Sequence, residues 1–323
     1  MTITDLSDVA TLLQRMVQID SVSGSVCGRD RSEQPLIDML HRQAKDWGLH
    51  PTLLPVPGHA DQLIITARPP VEGDTRPLLL FDSHTDTVGV EGMTVEPFAA
   101  EVRDGKMYGR GTCDTKGTGA AMLCALRQYA ETEVQPVRVA VLFSVDEEMS
   151  MDGIQHFLTH DYEAVVGDAA SVNVIVGEPS DLRLYVVHNG VLTWKLSTSG
   201  VAAHSSRPSN GVSAITPMLT LLQAVEALYI PSVTACHGLT GTAACAVTMI
   251  KGGHSPNVIA DHCEATIDRR LSAGDVSETP ELATAALRKV SACLKRCLGD
   301  AAGTPEGISF CTHARTSTSP CPS

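Results

Sequence analysis

Apolar residues recur along the chain at two spacings, and these divide it into helices and strands. From Asp8 to Ile19 they fall at Val9, Leu12, Leu13, Met16 and Val17, and from Glu33 to Trp47 at Leu36, Ile37, Leu40 and Ala44. Both patterns predict helices with one buried face, the second ended by Gly48. Short β-rich runs follow at Thr52–Val56 and Leu63–Thr66. The continuous apolar run Leu78-Leu79-Leu80-Phe81 predicts a strand buried on both faces, and it stops abruptly at Asp82-Ser83-His84-Thr85-Asp86. Glu101–Tyr108, with Asp104-Gly105 between alternating residues, predicts a tight hairpin. It leads through the glycine-rich stretch Gly109–Gly117 into a helix over Ala120–Tyr129. Val137–Val145 predicts another buried strand and Val172–Val176 a further strand, ending in Asp146-Glu147-Glu148 and Gly177-Glu178-Pro179.

After Ser180 the pattern changes. Leu192–Ser199 alternates, Gly200–Pro208 is a polar turn, and a helix is expected from about Ala214 to Leu228. Strands at Ala243–Ile250 and Glu264–Ile267 flank Gly252–Asn257, and Thr279 with Pro280 opens a helix running to about Cys297. At 323 residues the chain exceeds what one core usually organises. The fold class expected is α/β, a mixed central sheet flanked by helices with an inserted α+β domain. Residues 1–182 are assigned to a catalytic metal-binding domain and 183–298 to a shortened insert. Residues 299–323 begin a strand returning to the catalytic sheet, at Gly307–Ala314, with an atypical tail from about 315.

Composition narrows the function. A formal net charge of -13 opposes nonspecific binding to nucleic acid or anionic lipid. The 10 cysteines include no C-x-x-C pair, which suits a reducing compartment. The N-terminus has no signal pattern, and no apolar run reaches the roughly 20 residues that span a bilayer, so a cytoplasmic location is expected.

The candidate chemistry sits where apolar strands end. An imidazole at His84 with a carboxylate at Asp86 is a pair in which the acid can fix the ring nitrogen that meets a metal. Asp114 stands where the glycine-rich loop enters a helix; a plain N-cap is the alternative. Asp146-Glu147-Glu148 repel one another unless cations or solvent compensate, the alternative being a solvated acidic turn. Delivered in order from several strand ends, these groups point to a metal site.

The ordered pieces SHTDTV, GRGTCDTKG, DEE, GEP, GVAAHSSRP and DRRL resemble the di-zinc amidohydrolase and metallopeptidase family of acetylornithine deacetylase, succinyl-diaminopimelate desuccinylase, carboxypeptidase G and aminoacylase. The resemblance runs from near the N-terminus to about Ala314 and implies a zinc-peptidase-like sheet with a dimerisation or lid insert. It implies that His84 and Glu178 bind one zinc, Glu148 the other, and Asp114 bridges them, with cobalt or manganese as possible substitutes. It makes Glu147 the general base, Asp86 the residue that orients His84, and His204 an oxyanion donor supplied by the insert of a partner subunit. Arg270 would grip a substrate carboxylate, a surface ion pair with Asp268 being its alternative, and Asn257 is a further substrate contact. The implied reaction is hydrolysis of N-acyl amino acids or short peptides, with a deacetylase-like substrate preferred and a homodimer as the working form. Family members continue beyond position 323 and carry a late histidine on the second metal, so the second site here is expected to keep only Asp114 and Glu148, with reduced activity. Two other readings stand beside it: a catalytically inactive dimerising or regulatory remnant, and a di-zinc aminopeptidase.

Overall fold

The structure, a computed structural model, describes residues 6–272, 282–289 and 309–315. The chain divides into two compact units, Met1–Arg183 and Leu184–Ser323.

The first unit runs α1 (Leu6–Val17), the single turn α2 (Gly24–Cys27), α3 (Gln34–Asp46), β1 (His50–Leu54), β2 (Gln62–Thr66) and β3 (Leu78–His84). The hairpin β4 (Glu101–Arg103) and β5 (Lys106–Tyr108) precedes α4 (Lys116–Ala130) and β6 (Arg138–Ser144). Then come α5 (Asp152–His156), a π-helical turn Phe157–Asp161, α6 (Tyr162–Val166) and β7 (Val172–Val176). Five strands form one mixed sheet in the order β1-β2-β6-β3-β7. β1, β2 and β6 pair antiparallel, whereas β6, β3 and β7 run parallel, so the carboxyl ends of these three share one edge.

Alternation along the strands builds a core on each face. Leu63, Ile65, Val141 and Phe143 pack in a cluster with Leu12 and Met16 of α1, Leu36, Ile37 and Leu40 of α3, and Leu123 of α4. Ile64, Leu78, Leu80, Ala140 and Leu142 join Phe157 and Val166 in a second cluster. α4 approaches the sheet closely because it carries Gly119, where a Cβ would lie 2.7 Å from Ser83 Oγ and 2.9 Å from Phe143 Cε1. The loop before α4 turns at Gly111, whose φ of +83° favours glycine.

The second unit holds β8 (Gly190–Ser199), α7 (Ile215–Ala224), a small hairpin β9 (Cys236–His237) and β10 (Gly241–Thr242), β11 (Ala244–Gly252), β12 (His262–Leu271), a helix over 282–289, and β13 (Ser309–Arg315). Its antiparallel four-stranded sheet has the order β11-β12-β8-β13. Met218 and Leu221 of α7, followed by Val225 and Tyr229, pack on Trp194, Leu196 and Ile267.

Most expected elements form within a few residues of their reading. The principal difference is at the end of the chain. The segment expected to return to the catalytic sheet is β13, and it pairs with β8 from Ser309↔Ser197 to Arg315↔Val191. An extended apolar run does not by itself specify its partner, and β8 offers a free edge within the same unit. The tail over 316–323, the helix start at Thr279 and Pro280, and its continuation to Cys297 lie outside the described residues. The helical run Asp152–Val166 was not legible, because a π-helical turn in its middle shifts the apolar phase.

Candidate metal centre

The parallel strands set the geometry. β3 ends at His84, level with Ser144 on β6, and Asp82 of β3 is level with Val176 at the end of β7. The residues just beyond these ends therefore project from one edge: His84 itself, Glu147 and Glu148 after β6, and Glu178 after β7.

His84 is buried. Its Nδ1 lies 3.0 Å from the Asp86 carbonyl oxygen, an atom that only accepts, so Nδ1 carries a proton. That fixes Nε2 as the atom facing the acids, 3.0 Å from Asp114 Oδ1, 3.9 Å from Glu178 Oε1 and 4.0 Å from Glu147 Oε2. One ligand atom each from His84, Asp114 and Glu148 lies within 4.8 Å of the others. Asp114 is not the N-cap of α4; Thr115 holds that position, and the Asp114 carboxylate is turned toward His84.

Asp86 acts differently from a simple imidazole partner. Its carboxylate stands 3.5 Å from His84 Nδ1, while the backbone carbonyl makes the closer contact. The two carboxylate oxygens accept the consecutive amides of Glu147 (3.0 Å) and Glu148 (3.1 Å). Asp86 thus ties the loop after β6 to the end of β3.

The electrostatics follow from crowding. Burial works against a charged His84, but hydrogen bonds to Asp114 and Asp86 and the charges of Asp86 and Glu147 outweigh it and push the imidazole up to about 11. Burial and neighbouring acids raise Glu178 to about 7 and also raise Glu148. Asp114 is lowered, chiefly by its hydrogen bond with His84. A set of carboxylates around one imidazole, with two of the acids disfavoured as anions, fits a divalent cation, which would balance their charge.

Several supporting residues carried no signal in the pattern of the chain. Lys116 is fully buried, and its Nζ donates to the carbonyls of Met16 (3.1 Å) and Ile19 (2.9 Å), closing the end of α1. Burial lowers it to about 7. The Ser83 hydroxyl lies 3.0 Å from Thr115 Oγ1, and Thr115 Oγ1 donates to the His84 carbonyl (3.0 Å). A second group, His59, Asp146 and Asp152, also brings ligand atoms within 4.8 Å.

The remaining sequence candidates belong to the second unit. His204 lies in an exposed turn, its Nδ1 2.8 Å from Ser206 Oγ, and forms an isolated bridge with Val258. The Asn257 carbonyl accepts the Ser205 amide at 2.9 Å, so these two loops meet. Arg270 is not with them. It sits near the other end of β12 from His262, about 26 Å along an extended strand. There its Nε donates to Asp268 Oδ1 at 2.8 Å.

An imidazole and carboxylates converging at the carboxyl edge of a mixed α/β sheet define a class, the metal-dependent hydrolases. The pattern of peptidase family M20/M25/M40 matches residues 80–316. Over 296 residues the chain is 31% identical to an acetylornithine deacetylase of Pectobacterium carotovorum, covering 87% of this chain and 72% of that one. An acetylornithine deacetylase of Erwinia tasmaniensis is likewise 31% identical over 296 residues, covering 90% and 74%. A solved M20 family metallo-carboxypeptidase from Sulfolobus solfataricus shares the fold, with a TM-score of 0.70 at 16% identity over 95% of this chain and 78% of that one. The chain belongs to peptidase family M20/M25/M40, hydrolases that cut amide or peptide bonds with a metal cofactor.

Proposed function

We propose that this protein removes the acyl group from N-acyl amino acids, with N-acetyl substrates preferred, using zinc held by His84, Asp114, Glu148 and Glu178. The convergence of His84, Asp114 and Glu148 within 4.8 Å carries the reading. His84, Asp114 and Glu178 would hold one ion, and Asp114 and Glu148 alone among these residues would hold a second. When bound, such ions supply Lewis acidity and a water of lowered pKa. Asp86 holds the amides of Glu147 and Glu148, and so sets where both side chains leave the backbone. Glu147 takes the proton of the attacking water and delivers it to the departing amine nitrogen. The deacetylase preference rests on the two relatives named as acetylornithine deacetylases.

The second unit is assigned the recognition and dimerising role, with 183–298 as its core. His204 donates to the developing oxyanion of a partner subunit's site and Asn257, whose loop meets that of His204, contacts the same substrate; Arg270, near the far end of β12 and paired with Asp268, is too distant to share that contact. An edge strand, β11, with exposed Met249 and Ile250 supports association through this unit. A cytoplasmic location accords with free thiols at Cys27, Cys113, Cys124, Cys236, Cys245 and Cys263. Among the described residues no helix is long and apolar enough to cross a membrane.

The test compares zinc- and cobalt-loaded protein on N-acetyl amino acids and on free-amine peptides. Hydrolysis of the acylated substrates, lost in Glu147→Gln while cobalt binding persists, is expected. A preference for free α-amines would replace this assignment with an aminopeptidase. Absence of turnover with both substrate types would leave a binding or regulatory protein. Light scattering should give the mass of a dimer.

A further inference from the structure

The loop after β6 carries three successive acids, and its backbone leaves the strand through Asp146 at φ 58°, a left-handed conformation that few non-glycine residues adopt. The amides of all three acids are held by buried carboxylates. Those of Glu147 and Glu148 go to Asp86. The amide of Asp146 goes to Glu33 Oε1, at 3.3 Å.

Glu33 is otherwise unexplained. Only 4% exposed, it occupies the N-cap position of α3, yet its side chain makes no capping bond. Among the described residues it has no basic ion-pair partner; the Ser32 hydroxyl donates to Oε2 at 2.9 Å and fixes the carboxyl's orientation. Burial raises its pKa, and the Asp86 charge adds to that. Such a group is costly to bury without a compensating task.

We infer that Glu33 is a positioning residue: by accepting the Asp146 amide it holds the first peptide of the turn from which Glu147 and Glu148 project, completing the hold that Asp86 exerts on the next two. The consequence for metal binding rests on the function proposed above. The hold on the backbone does not.

The test uses wild type, Glu33→Ala and Glu33→Gln, reading amide hydrogen exchange at 146–148 and cobalt(II) affinity by visible absorption. Glu33→Gln keeps an acceptor oxygen and should match wild type in both. Glu33→Ala should exchange about tenfold faster at these amides and bind cobalt about tenfold more weakly, at the low end of what losing a ligand's supporting partner does. Exchange in β1 and β2 should not change. Wild-type exchange and affinity in Glu33→Ala, or equal damage in Glu33→Gln, would overturn the inference. Should Glu33→Ala fail to fold, Ser32→Ala, which releases the far oxygen, takes its place; a smaller shift in the same direction is expected, and no shift overturns the idea. If wild type itself binds no cobalt, the functional proposal fails while the exchange data still decide the role of Glu33.

Discussion

Replacing Asp86 by asparagine removes one charge and one acceptor from a side chain that is fully buried. In the native arrangement its two oxygens take the amides of Glu147 and Glu148 at 3.0 and 3.1 Å. Hydrogen bonds to a charged group contribute about 1.5–3 kcal/mol each. In Asp86→Asn one oxygen survives, now neutral, and the NH2 group faces an amide that also donates. One bond is lost and the other weakened, while relief of repulsion among the neighbouring acids offsets part of the loss. The net cost is about 2–4 kcal/mol, which at roughly 2–4 °C per kcal/mol for a domain of this size lowers Tm by about 5–15 °C. Cobalt affinity should fall about 10- to 100-fold, because Glu148 leaves from the loosened loop. The His84 imidazole should also titrate lower, since Asp86 is one of the groups that raise it. Differential scanning calorimetry of the metal-free protein, cobalt titration and NMR of the imidazole measure the three effects. A variant that melts within about 1 °C of wild type and binds cobalt within about twofold would refute the argument, which scales directly with those two hydrogen bonds.

Lys116→Met should destabilise the first unit by about 2 kcal/mol, because the carbonyls of Met16 and Ile19 lose a buried donor; urea unfolding midpoints measure it. Asp74 is held at about 2, below its ordinary 3.8, mainly by hydrogen bonds from Arg76, so its contribution is present above about 3.8 and is lost as the pH falls toward 2. Asp74→Asn should therefore lose less stability than wild type between pH values of about 5 and 2.5, followed by urea midpoints at each pH. Zinc or cobalt at about a hundred times its Kd should stabilise the protein by about 2.7 kcal/mol, a shift that chelator reverses and His84→Ala abolishes, read by thermal unfolding.

Much of the architecture was written in local patterns. The alternation of Leu63-Ile64-Ile65 and of Ala140-Val141-Leu142-Phe143 specifies strands with two buried faces, since neighbouring side chains on a strand point to opposite sides. The abrupt change from Leu78–Phe81 to His84 and Asp86 marked a strand delivering polar groups to a sheet edge. Candidate ligands were legible only as an ordered set: a single acid after an apolar strand reads as a solvated turn or a helix cap, whereas several delivered in order from strand ends point to a metal site.

Partnership was not legible. Asp114 read equally well as a helix cap until the fold turned its carboxylate to Nε2 of His84, thirty positions away. Glu33 and Lys116 carry no local signal, and only the packing of α3 and α4 buries them against backbone groups from distant segments. The end of the chain illustrates the same limit. Its residues specify an extended strand at 309–315, but which sheet receives it depends on which edge lies open nearby, and the tertiary structure chose β8. Local composition determines conformation through backbone and side-chain preferences, whereas long-range pairing is a competition among edges and cavities that exist only once the rest has folded.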